Sequence, residues 1–166
     1  MTNQLKIERV IRSISAGIST DQLAIECVDV DLNEPGEHGR TPLMAAASQG
    51  LLQAAEVLVR CGASVRASGV REMTALHEAA SNGEAAMARY LLCWGAQVDA
   101  PTSDGVTALM CAAAWGRIDV LQFLLANGAD WTKTDRTGST ASDIAREKGE
   151  DTSAELIDLY GAQQAK

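Results

Sequence analysis

The side chains that could carry chemistry are few, and their spacing does not assemble them. There are two histidines, His38 and His77, and four cysteines, Cys27, Cys61, Cys93 and Cys111. A hydroxyl or thiol nucleophile needs a base held beside it, and no Ser or Cys here sits in a recognisable nucleophile motif. A zinc site needs clustered His and Cys ligands, and no such spacing occurs. No glycine-rich loop follows a strand-like run to cradle phosphate. Asp29, Asp31, Glu34 and Glu37 form a loose acidic run. Two carboxylates acting as acid and base need a shared cleft that separates their pKa values, so a solvated loop is the better reading of that run. The cysteines show no CxxC and no pairing pattern, and they read as reduced thiols of a cytoplasmic protein, in small packing or surface positions. The residues thus predict no catalytic group, no bound metal and no cofactor.

Composition narrows the remaining classes. The chain has 166 residues and a formal net charge of -8. That balance argues against nucleic acid and against an anionic membrane surface as partners. No apolar run approaches the roughly 20 residues of a membrane span. The opening MTNQLKIERVIRSISAG interleaves charges with its apolar positions and does not read as a secretory signal. Aromatic residues make up only 4%, and the apolar content is mostly Ala, Leu and Val, which suits many thin, closely stacked elements.

Those elements are announced by a period. Thr41, Thr74, Thr107 and Thr140 fall 33 residues apart, as do Gly50, Gly83, Gly116 and Gly149, and again Gly62, Gly95, Gly128 and Gly161. Three registers in agreement mean one structural unit copied end to end. In the first full unit, Thr41 is a good N-cap and Pro42 falls at the first helical position, where its missing N–H costs nothing. Leu43, Ala46 and Ala47 follow at helical spacing, and Gly50 stops the helix. A second helix is predicted from about Leu51 to Arg60, ended by Gly62, and an extended, turn-like stretch leads to the next Thr. Small residues at Ala46/Ala47, Ala79/Ala80 and Ala112/Ala113 let neighbouring first helices lie close. Leu58, Leu91, Leu124 and Ile157 should form a continuous apolar seam along the second helices. No unit can bury its apolar face alone, so stacking supplies the core.

The segments TPLMAAASQG, TALHEAASNG and TALMCAAAWG resemble the ankyrin-repeat motif, TPLHxAAxxG followed by an LLxxGA stretch, over about residues 30–161. The resemblance implies an all-α solenoid of five stacked helix pairs joined by short β-turn hairpins, forming a single domain over 1–166. Its parts would be a helical cap over 1–29, repeats over 30–62, 63–95 and 96–128, a capping repeat over 129–161 and a frayed tail over 162–166. Shifting the register back by 33 places Gly17 on Gly50 and Ile25 on Leu58, so residues 3–28 should form a degenerate helix pair. Only His77 holds the motif's histidine place, where Met44, Met110 and Asp143 stand in the other units. The resemblance implies a structural role for it, bonding backbone in the adjoining turn. Glu72 stands where Gly39, Gly105 and Gly138 mark the other hairpins, so the second hairpin is expected to turn at Gly69 and bend differently.

The resemblance also implies a function. Partners of such repeats are usually held by the hairpin tips and the exposed ends of the inner helices, and the expected role is non-catalytic binding of another protein through the concave groove. An inhibitor, an immunity factor or an adaptor would each fit, and the chain would be a monomer or weak homodimer. Mapped onto this sequence, Trp94 and Trp115 occupy places that the family fills with solvent-facing residues, and Trp is enriched at binding hot spots. Val70, Met73 and Val106 would add apolar area nearby, and Arg40, Arg71 and Arg136 could clamp a carboxylate-bearing partner around that patch. Trp131 replaces Val65 and Val98 in a column expected to be buried, and is expected to pack.

Overall fold

Each threonine of the 33-residue column opens a helix. In the computed structural model, which describes residues 2–164, the hydroxyls of Thr41, Thr107 and Thr140 accept from the N–H three residues on, at 3.3, 3.4 and 3.3 Å. Such a bond satisfies one of the donors that a helix start leaves free. The ten α-helices among the described residues are α1 (Asn3–Ser15), α2 (Thr20–Glu26), α3 (Pro42–Ser48), α4 (Leu52–Arg60), α5 (Ala75–Asn82), α6 (Ala85–Cys93), α7 (Ala108–Ala114), α8 (Ile118–Ala126), α9 (Ala141–Lys148) and α10 (Asp151–Gln164). They form five antiparallel pairs. Extended pairing among the described residues is limited to two isolated bridges, Ser68 with Thr74 and Thr134 with Thr140.

The pairs stack in two rows. Helices α1, α3, α5, α7 and α9 lie side by side in one row, and α2, α4, α6, α8 and α10 in the other. The first row is the tighter. Ala46, Ala47, Ala79, Ala80, Ala112 and Ala113 are all fully buried there, and without larger side chains the backbones approach closely. The second row carries the bulk: Leu58, Leu91, Leu124 and Ile157 are buried in one seam, as the period predicts. Close packing in one row and wider packing in the other fans the stack, with the first helices on the inner arc. None of the described helices is long and apolar enough to cross a membrane.

The ends depart from the expected register. Helix α2 starts one residue later than a strict shift of α4 would place it, and it is shorter. Ser19 caps it by accepting from Gln22 N–H at 3.3 Å. The inward stripe is then Leu23 and Cys27, four residues apart, while Ile25 is 64% exposed, so the alignment of Ile25 on Leu58 does not hold. At the other end α10 runs through Gly161 to Gln164 rather than stopping at the glycine. The ring of Trp131 lies against Gly161, where a Cβ would come within 2.9 Å of it. Here glycine serves close approach rather than a turn, and Trp131 packs on the core as expected. Of the tail expected to fray, residues 162–164 are helical, and Ala165 and Lys166 lie outside the described residues.

A candidate protein-binding surface

The hairpins project from the inner helices' N-terminal ends and are bonded to one another. Val70 N–H donates to Gly39 O at 2.7 Å, Ser103 N–H to Arg71 O at 2.8 Å and Arg136 N–H to Asp104 O at 2.8 Å. One backbone bond per junction fixes each tip against the preceding one. At the first hairpin, Glu8 of α1 takes the place of a preceding tip. Its carboxylate accepts from Glu37 N–H at 2.8 Å while only 6% exposed. A Cβ at residue 36 would lie 2.5 Å from the same carboxylate, which explains a glycine at Gly36.

The second hairpin does not bend at Gly69. Gly69 N–H donates to Met73 O at 2.8 Å, matching Gly36 to Arg40, Thr102 to Val106 and Asp135 to Ser139 at 2.9, 2.9 and 3.0 Å. The fold keeps the closing bond common to the hairpins, but the turn bends differently, as expected, with a short 3-10 turn over Val70–Glu72. Glu72 adopts the left-handed conformation that glycine adopts elsewhere, with φ 59°. Arg71 joins it at φ 61°. Two consecutive non-glycine residues in this region carry strain of about 1–2 kcal/mol each.

His77 ties its helix to the next hairpin. It is 1% exposed, and its Nδ1 lies 3.2 Å from Thr74 N and 2.8 Å from Thr74 Oγ1. Its Nε2 lies 3.0 Å from Val106 O. A carbonyl can only accept, so Nε2 carries the proton and Nδ1 accepts from threonine. Burial pushes the imidazole's pKa below its ordinary value, against the raising influence of backbone bonds to Val106 and Ala100. The structural role that the resemblance implies is what the geometry shows. Met44 and Met110 reach back to their threonine N–H groups through sulfur at 3.5 and 3.4 Å, and Asp143 through a carboxylate at 3.0 Å. His38, by contrast, is exposed on its hairpin.

The arginines expected as clamps are already engaged. Arg71 pairs with Asp104, and Arg136 approaches the other oxygen of that carboxylate at 3.7 Å. The hydrogen bond and charge of Arg71, and then the charge of Arg136, hold the Asp104 carboxyl below its usual range. Both guanidinium groups remain more than 70% exposed, and each keeps free donors. Arg40 is held more tightly, with Nε 3.1 Å from Glu78 Oε1 and Nη2 donating to Met44 O at 3.3 Å. Burial raises the pKa of Glu78, and Arg40 partly offsets this. Beside Arg71 and Asp104 lies a recess of about 340 Å³ lined also by Met73, Thr102 and Val106. Val70, 60% exposed, stands on the same tip as Arg71.

The tryptophans do not join this cluster. Trp115, 62% exposed, closes α7 at the end away from Thr107, so the length of that helix separates it from Val106. Trp94, 56% exposed, closes α6 in the outer row and leans on Tyr90 with ring centroids 5.9 Å apart. The single patch expected from sequence is three separate places, because the two tryptophans cap different helices in different rows. The sequence reading also missed the partners that fix the tips. Glu8 contributes from 29 residues upstream, and Asp104 contributes from the following hairpin. Only the matching register of Arg71 and Asp104, one period apart, hinted at the latter. Among the described residues, no group of three or more His, Cys, Asp or Glu is placed to hold a metal ion.

Paired helices, threonine caps and a hydrogen-bonded row of hairpins define a repeat solenoid. The sequence matches the family described as ankyrin repeats (3 copies) over residues 13–102 and 61–135, and the chain belongs to that family. Repeats of this family are generally protein–protein interaction modules, and the family is typically non-catalytic. No curated protein matches the chain.

Proposed function

We propose that this protein binds a partner protein, without catalysis, through the hairpin tips and the inner-arc face beside them. The observation that carries this reading is the row of tips, each locked to the one before by a backbone bond, with Arg71 lining the recess of Met73, Thr102, Asp104 and Val106, Arg136 paired to Asp104, and Val70 exposed on the same tip as Arg71. A surface fixed before contact loses little conformational freedom on binding, which favours affinity. Arg71 and Arg136, already sharing Asp104, leave their remaining donors aimed outward for a carboxylate-bearing partner. Such a binder, acting in the cytoplasm, works by occluding, sequestering or bridging its partner, as inhibitor, immunity factor or adaptor.

The test compares three variants in affinity capture from a lysate: Val70→Ser with Arg71→Ala, Trp115→Ala, and Trp94→Ala. The tip variant is expected to lose the captured protein by tenfold or more, about 1.4 kcal/mol, with an unchanged helical circular-dichroism signal. Full capture by the tip variant, with loss confined to Trp94→Ala, would overturn the assignment.

A further inference from the structure

Two of the four cysteines meet across a junction that the repeat pattern does not mark. Cys27 follows α2 and Cys61 follows α4, each as the residue that closes its helix, and these two helices pack side by side. The Cys61 thiol is near enough to Cys27 to push its pKa up. Cys27 is buried and Cys61 is exposed, so one of the pair is open to a reagent in solution while the other waits behind it. The segment around Cys61 is also pinned to the chain just after Cys27. Asn33 Nδ2 donates to Gly62 O at 3.3 Å, and Ser64 N–H donates to Asn33 Oδ1 at 2.7 Å. Neither of the other cysteines is placed this way: Cys93 ends α6, and Cys111 lies in α7 of the other row.

We propose that Cys27 and Cys61 form a reversible disulfide, made by exchange with a low-molecular-weight disulfide, that staples the N-terminal helix pair to the first full repeat. The Cys61 thiolate attacks one sulfur of the reagent, forming a mixed disulfide and releasing one small thiolate. The Cys27 thiolate then attacks the Cys61 sulfur, closing the bridge and expelling the second small thiolate. The two cysteine protons end on the two small thiols, and the cysteine pair's two electrons reduce the reagent's bond.

Burial and the neighbouring Cys61 push the Cys27 thiol up to about 12, so the closing step is slow at neutral pH and quickens as pH rises. The bridge also bears on a groove at the opposite ends of the same helices. There Gly17, Thr20 and Leu23 of the cap region face Leu51, Leu52 and Gln53 across about 440 Å³. Joining the C-terminal ends of α2 and α4 fixes the separation of the helices that wall this groove.

The experiment incubates the full chain with oxidised glutathione at pH 8.5, maps linked peptides by mass spectrometry and counts free thiols. The expected product is a monomer lighter by two hydrogens, with Cys27 linked to Cys61 and the free thiols reduced from four to two. Its melting temperature should rise by roughly 5–10 °C, reversibly with dithiothreitol. Cys61→Ser should give neither the link nor the shift. Cys27→Ala should halt at a glutathione adduct on Cys61, and it keeps the test decisive if Cys61→Ser proves unstable. A wild-type chain that stops at the same adduct, or that instead forms dimers through Cys61 or Cys93, would overturn the proposal.

Discussion

Replacing His77 with methionine converts the second repeat's lock into the one used by the first and third, and the structure sets its size. A methionine sulfur can still accept from Thr74 N–H, as Met44 and Met110 do at 3.5 and 3.4 Å from their threonine nitrogens. Two bonds are lost: the one from the Thr74 hydroxyl, and the bridge from Nε2 to Val106 O. Val106 O keeps its bond from Thr102 N–H at 2.9 Å, whereas the buried Thr74 hydroxyl loses its nitrogen acceptor. At about 0.5–1.5 kcal/mol per net bond, the variant should be less stable by about 1–3 kcal/mol. That corresponds to a fall of roughly 3–9 °C in melting temperature for a chain of this size.

The pH dependence is the sharper readout. Burial lowers the folded-state pKa of His77, so the unfolded chain takes up its proton first. The stability it contributes is complete above the unfolded value of about 6.5 and is lost as pH falls through the folded one. Glu78 acts in the opposite sense. Its folded-state pKa is raised, so the folded chain binds the proton first and gains stability as pH falls. Urea titrations of both proteins between pH 7.5 and 5.5 should show wild-type stability declining and the variant's slope flat or reversed. Equal stabilities and equal slopes would refute the argument that a neutral, doubly bonded imidazole joins the second repeat to the third.

Two further perturbations bear on the tips. Glu72→Gly removes a side chain from a left-handed position that glycine adopts in the other three hairpins, and it should stabilise the chain by up to about 1 kcal/mol in denaturant titrations. A destabilised variant would show that the conformation carries no strain. Glu8→Ala leaves Glu37 N–H without its acceptor and should cost about 1–3 kcal/mol. Hydrogen exchange should then speed up at residues 36–40 ahead of the later hairpins, and unchanged exchange there would show that the carboxylate does not hold the first tip.

What the sequence conveyed and what it withheld divide along a physical line. The 33-residue period carried everything local to one unit: the threonine caps, the alanine pairs and the Leu58–Leu91–Leu124–Ile157 seam all lie where spacing puts them. Contacts between units are made by side chains about 30 residues apart, and apart from His77 with Val106 no motif encodes them. Glu8 under the first hairpin, Asp104 between Arg71 and Arg136, and Cys27 beside Cys61 all belong to that kind. Register also weakened in the first and last helix pairs. There Ile25 turned outward, and Gly161 served Trp131 rather than a turn. Glu72 shows the reverse: the hairpin keeps its closing bond even where the local residue disfavours the turn.

The most direct test of the central claim is hydrogen exchange on the complex with the captured protein, compared with the free chain. New protection is expected at residues 70–73, 103–106 and 136–139, with the outer helices α6 and α8 unchanged. Protection concentrated on those outer helices around Trp94, with the tips exchanging as in the free chain, would contradict it.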